Sequence, residues 1–302
     1  MGASRPFRSL IISYDNQVCF LFFSIIIVNY SVVKFKKRWF MSEQISKLIE
    51  VEEGRIEVFL QGEGPLVVMI PSLGRGAEDF DRLSGAVARA GYQAVSPQPR
   101  GIGRTQMPLD GMSMADLASD IAQIVSGMSS EKAVLIGHAM GNRIARVAAT
   151  NYPDNIDSVI LLACGGLVPM SLEANKALLG VFDVEASPSE HIEHVRKAFF
   201  ADGNDPKAWS DGWNEVVADF QLHAVRNIDV SDWWTAGSCP VLVVQPEEDV
   251  IAVPENAYGI VAELGNRATL ELVPQAGHAL LPEQPEILEE IVLRWLTGRE
   301  LL

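Results

Sequence analysis

The chain has 302 residues, 48% hydrophobic and 21% charged, with a net charge of −15 from 24 basic and 39 acidic side chains. These fractions suit a globular protein with a full core, and the dispersed Gly and Pro exclude a collagen-like or linker-dominated chain. A surface this acidic repels phosphate backbones, so nucleic acid is not an expected partner. Cys19, Cys164 and Cys239 lie far apart with no Cys-x-x-Cys pair. That argues against a disulfide framework or a zinc site, and for a reducing, cytoplasmic compartment. No repeat of about 20–50 residues is present, which speaks against solenoids and propellers.

Residues 1–40 do not match the remainder. They carry six basic residues and one acid, Asp15, so they contribute +5 and leave −20 to the other 262. Val18 to Val33 is mostly apolar but shorter than the ~20 residues of a spanning helix, and it is followed by Lys34-Phe35-Lys36-Lys37-Arg38. No small-residue cleavage site follows. Two readings stand: translated noncoding DNA ahead of a start at Met41, which we favour, or a weak membrane anchor. A membrane is not an expected partner.

Leu48 to Glu52 and Ile56 to Leu60, split by Glu53-Gly54, predict an opening hairpin. Leu66 to Ile70 is a continuous apolar run, as in a strand buried on both faces. Phe80, Leu83, Val87 and Ala88 recur at helical spacing up to Gly91, and Tyr92 to Val95 is the next strand. A helix over Ser113–Met128, a strand over Ala133–Ile136, a helix over Asn142–Thr150 and a strand over Val159–Leu162 follow. Between about Gly166 and Ser238 the patterns are helical, with four of the six tryptophans and no convincing strand. Val241 to Val244 resumes the sheet, followed by a helix over Glu255–Leu264, a strand over Thr269–Val273 and a helix over Ile287–Leu296.

This alternation predicts an α/β fold with a mostly parallel, doubly wound sheet. Residues 41–165 and 239–302 would form the core, and residues 166–238 an inserted helical cap. Ligands in such sheets bind at the carboxyl ends of the strands, here beneath the cap.

Three strand ends carry the chemistry. Gly137-His138-Ala139-Met140-Gly141 crosses a strand-to-helix junction, where the two glycines remove Cβ clashes and a tight turn holds the middle residue above the sheet. Pro246-Glu247-Glu248-Asp249 follows the Val241 strand. Gln275-Ala276-Gly277-His278 follows the last strand, and Pro71-Ser72-Leu73-Gly74 follows Leu66–Ile70. Together, from roughly Leu48 to the C-terminus, these resemble the α/β-hydrolase superfamily, in particular its capped lactonase- and haloperoxidase-like branch.

The resemblance implies His278 as general base and Asp249 as the carboxylate that orients it. It implies backbone N–H groups of Leu73 and Met140 as the oxyanion hole. The sequence departs from the family at Gln98, in place of an acid in the loop Gln98-Pro99-Arg100-Gly101-Ile102-Gly103, at Pro71-Ser72, and at Asn142. The departure that matters is Ala139 at the position of the nucleophilic serine.

A methyl group forms no acyl-enzyme, and loss of the serine costs a serine protease about 2 × 10⁶ in turnover. Four readings remain. The favoured one is an enzyme acting on a small, mostly apolar ester, lactone or activated carbonyl compound, or a cofactor-free lyase or oxygenase, through a His278–Asp249 base. The others are a noncatalytic ligand binder or sensor, a serine hydrolase with an introduced substitution at Ala139, and a replacement nucleophile, Ser72 or Cys164.

No cofactor and no metal site are expected. His138 reads as structural, and His191 with His194 as a polar helix face rather than a metal pair. His223 is a weak candidate for a ligand contact from the cap. The tryptophans either line a pocket or seal the cap, and Arg100 and Arg104 are weak candidates for binding a substrate carboxylate.

Overall fold

The computed structural model describes residues 43–298; the readings of residues 1–40 lie outside them. Strands β1 (Ile45–Val51) and β2 (Gly54–Gln61) form the opening hairpin. They are followed by β3 (Leu66–Ile70), α1 (Asp81–Arg89), β4 (Gln93–Pro97), α2 (Met114–Met128), β5 (Ala133–His138), α3 (Met140–Asn151) and β6 (Ile156–Leu162). Helices α4 (Leu172–Gly180), α5 (Pro188–Phe199) and α6 (Glu215–Arg226) lie between β6 and β7 (Val241–Pro246). The chain continues through α7 (Glu255–Leu264), β8 (Ala268–Val273), α8 (Leu280–Glu283) and α9 (Pro285–Gly298).

The eight strands form one sheet in the order β1-β2-β4-β3-β5-β6-β7-β8. Pairings of β2 with β1 and with β4 are antiparallel, and every later pairing is parallel. Successive residues of a strand face opposite sides, so the continuous apolar runs feed two cores. Leu66, Val68 and Ile70 pack under α2, α3 and α7. Val67 and Met69 pack with α1 and α9 on the other face. This is why β3 and β5 are buried throughout and show no alternation in sequence.

Local signals set the helix ends. The Ser113 hydroxyl accepts the Asp116 N–H while the Asp116 carboxylate accepts the Ser113 N–H, a reciprocal cap that starts α2. Ser187 and Glu190 do the same for α5. Helix α3 begins at Met140, two residues before the apolar periodicity becomes readable, because the turn at Ala139 launches it directly. The one-turn helix α8 went unrecognised in the sequence, since four residues are too few to show a period.

Candidate active site

Ala139 sits between β5 and α3 with φ 48° and ψ −102°. A non-glycine residue there is strained by an amount on the order of 1–3 kcal/mol, and persists only when its surroundings over-determine it. They do. The Ala139 N–H donates to the Leu162 carbonyl at 3.0 Å, and its own carbonyl accepts the Asn142 N–H at 3.2 Å. A Cβ on Gly141 would collide with the Ile70 carbonyl, and one on Gly137 with the Gly141 and Asn142 backbone. The two glycines therefore allow α3 to start hard against the end of β3, as the Gly-x-x-x-Gly spacing requires.

Asn142 uses its position structurally. Its Nδ2 donates to the carbonyls of Leu162 and Ala163 at 3.0 and 2.9 Å, and its Oδ1 accepts from Arg146. It ties the turn to the end of β6, which a glycine there could not do.

The loop after β7 carries Asp249 and the loop after β8 carries His278. His278 Nδ1 lies 2.8 Å from Asp249 Oδ2, with the two side chains 3% and 0% exposed. The other carboxylate oxygen, Oδ1, accepts the N–H groups of Ile251 and Ala252, both at 2.8 Å. Both oxygens are thus occupied by donors, which is how a buried carboxylate is tolerated. The pairing places the proton on Nδ1 and leaves the lone pair on Nε2, for which no hydrogen-bond partner exists among the described residues.

The His278 loop is anchored from below and from the side. His138 donates through Nε2 to the His278 carbonyl at 2.8 Å. Burial, then the charges of His278 and Arg75, hold His138 well below its ordinary 6.5, so it stays neutral. Glu283 accepts the Gly277 N–H at 2.8 Å, and the Ala201 N–H and the Asn204 amide both at 2.7 Å. Burial pushes its carboxyl above the usual range.

Ala139, His278, Ser72, Leu73 and Met140 all line one cavity of about 400 Å³, walled otherwise by α3, α4, the ends of α5 and α6 and the loops after β6 and β7. Met140 is the first residue of α3 and Leu73 lies in the turn after β3. Neither backbone N–H has an acceptor among the described residues. Ser72 also lines it; its carbonyl accepts the Arg75 N–H at 3.2 Å, so the turn is closed by backbone rather than by the hydroxyl.

The other candidates fall elsewhere. Cys164 is fully buried outside the lining, with its thiol pushed up by burial. Arg100 is bound to Asp120 at 2.7 and 2.8 Å and to Glu53, and Arg104 to Glu57; both are committed to structure. Gln98 bridges the Ala77 N–H and the Glu78 carboxylate. Trp209 and Trp213 stack on Arg75 and Phe199, while Trp233 and Trp234 stack on Arg146. None of the four lines the cavity, so they seal. His223 is exposed, and His194 packs against Gly180. Among the described residues no cluster of three or more His, Cys, Asp or Glu side chains is arranged to hold a metal ion.

The sequence reading missed Arg143. It stands one helical turn after Ala139 on the same face of α3 and lines the cavity. Its only signal was a charge at i+4 from the turn.

A family model described as the alpha/beta hydrolase fold matches residues 65–182, the segment from β3 past the Ala139 turn to the end of α4. Over that segment the chain matches the α/β-hydrolase family, and its sheet and helices have the α/β-hydrolase fold. A candidate carbamate hydrolase of Variovorax paradoxus, RutD, is 28% identical over 241 residues, covering 74% of this chain and 88% of that protein. The 2-(acetamidomethylene)succinate hydrolase of Mesorhizobium japonicum is 27% identical over 118 residues, 39% of this chain and 42% of that protein. The crystal structure of an E-2-(acetamidomethylene)succinate hydrolase shares the fold with a TM-score of 0.70 at 19% identity, covering 84% of this chain and all of that one. Within this fold the chain holds a buried His278–Asp249 pair, and the residue at the turn between β5 and α3 is Ala139. Among the described residues no helix is long and apolar enough to cross a membrane.

Proposed function

We propose that this α/β-hydrolase hydrolyses a small ester-, lactone- or carbamate-like carbonyl compound by general-base activation of water, without a covalent intermediate. His278 Nε2 takes a proton from water, and the resulting hydroxide attacks the substrate carbonyl. The oxyanion of the tetrahedral intermediate is held by the N–H groups of Leu73 and Met140. The intermediate collapses as the His278 imidazolium returns the proton to the leaving group, and Asp249 keeps the ring in the productive tautomer throughout. Helices α4 to α6 act as a cap that limits water in the cavity, and the reaction takes place in a reducing, cytoplasmic compartment.

One observation carries the reading: the His278–Asp249 pair is nearly inaccessible, both Asp249 oxygens are hydrogen-bonded, and His278 lines the same cavity as Ala139 with Nε2 left without a partner among the described residues. Burying such a pair is costly, and a general base has a use for it. A positioned base contributes about 10²–10⁴-fold, and each oxyanion donor about 10²–10³-fold. The relatives named for carbamate and for acetamidomethylene-succinate hydrolysis support water addition at a heteroatom-bonded carbonyl. A second reading, a ligand binder of the same fold, is favoured by Ala139 itself.

Turnover of aryl esters, lactones, carbamates and N-acyl compounds by the full chain, beside His278→Ala and Ala139→Ser, separates the two. Activity in the parent that disappears in His278→Ala supports the enzyme. A silent parent with an active Ala139→Ser variant supports the binder, or a hydrolase site lacking one oxygen.

A further inference from the structure

The protein is strongly acidic, yet the cavity wall contains no Asp or Glu and two arginines, Arg143 and Arg226. Arg226 is exposed at the end of α6. Arg143 is enclosed: its guanidinium lies against Gly165 in the loop after β6, and among the described residues it has no hydrogen bond and no ion pair through its side chain. Every nearby candidate counter-ion is accounted for. Asp249 is taken by His278, Ile251 and Ala252, and burial keeps Cys164 a neutral thiol.

A second buried cation makes the imbalance larger. Arg146, one turn deeper on α3, donates to Asn142 Oδ1 and the Gly165 carbonyl, at 2.8 and 2.6 Å. Burial first, and the charge of Arg143 after it, bring Arg146 down to about 10. Two guanidiniums therefore stand behind one wall: Arg146 has neutral oxygens and the faces of Trp233 and Trp234, and Arg143 has no side-chain partner among the described residues. Desolvated charge without a partner is unfavourable, and an arginine cannot relieve it by losing its proton near neutral pH.

We propose that Arg143 is a carboxylate seat, so that the substrate carries a carboxylate a short chain away from its reacting carbonyl. The inference rests on the cavity being the carbonyl-processing site. Helical side chains lean towards the helix N-terminus, which aims Arg143 back over the turn at Ala139. Four residues of α-helix rise about 6 Å, which sets the scale of the separation between the reacting carbon and the anion. One guanidinium presents two parallel N–H groups to one carboxylate. A dianionic phosphate exceeds what a single enclosed cation balances.

Calorimetric titration of the full chain with butyrate and its neutral isostere butyramide tests this without turnover. Butyrate is expected to bind at least tenfold more tightly. Arg143→Gln removes the preference, and Arg143→Lys keeps part of it, as a point charge without the fork. Butyrate binding that survives in His278→Ala supports the seat even where turnover is lost. The inference is overturned if the wild-type protein does not distinguish the two probes, which needs no variant to fold. It is also overturned if Arg143→Gln keeps the preference, if Arg226→Gln or His278→Ala abolishes it, or if inorganic phosphate binds more tightly than butyrate. Turnover that persists in His278→Ala alongside an intact preference removes the general-base reading and leaves the seat standing.

Discussion

Asp249→Asn tests the arrangement most directly, because the structure dictates how the new amide must sit. Oδ1 of Asp249 accepts two backbone N–H groups, from Ile251 and Ala252, while Oδ2 faces His278 Nδ1. Turning the asparagine NH₂ towards the two amides would leave two buried donors unpaired, at about 1–3 kcal/mol each. The NH₂ must therefore point at His278, where it can only donate. His278 Nδ1 is then forced to accept, the proton moves to Nε2, and the lone pair that faced the cavity is lost. The same tautomer inversion in a serine protease lowers kcat about 10⁴-fold, or roughly 5 kcal/mol of barrier. The assay is steady-state turnover of whichever ester or carbamate the parent hydrolyses, with far-ultraviolet circular dichroism to confirm the fold. Activity within tenfold of the parent would refute the assignment of Asp249 as the group that sets the His278 tautomer.

Three further predictions follow from the same geometry. Gly141→Ala drives a methyl group into the Ile70 carbonyl and should cost about 3 kcal/mol or more in urea unfolding; a loss below about 1 kcal/mol would mean that α3 does not start where it is placed. His138 is held well below 6.5 in the folded state, so the unfolded chain binds the extra proton below that pH. Its contribution is present above 6.5 and is lost as pH falls from 6.5 towards the folded value, at about 1.4 kcal/mol per pH unit. Denaturation between pH 7 and 5 should show a shallower slope for His138→Gln, and equal slopes would refute the burial argument. Ala139→Ser puts a hydroxyl at the strained turn beside His278 and should raise aryl-ester turnover at least 10²-fold, with a burst of acyl-enzyme seen in stopped flow; no burst and no gain would mean that His278 Nε2 does not reach the turn.

Much of this protein is written locally. Apolar runs, the helical spacing of Phe80, Leu83 and Val87, and the Gly-x-x-x-Gly turn are short-range patterns, and each reflects a backbone geometry that its own few residues impose. The strand ends and the turn at Ala139 were legible for that reason, as was the alternation that makes the sheet parallel, while Asp249 and His278 were singled out at those strand ends by the resemblance to the α/β-hydrolase superfamily. Tertiary structure alone decided which polar residues have partners. Arg100 and Arg143 look alike in sequence, yet one is clamped by Asp120, 20 residues away, and the other faces a cavity without an acid. The same holds for the four tryptophans between β6 and β7, which pack on Arg75, Phe199 and Arg146 rather than on the cavity. Pairing and burial depend on contacts between residues far apart in the chain, and such contacts leave no period or spacing for a sequence to display.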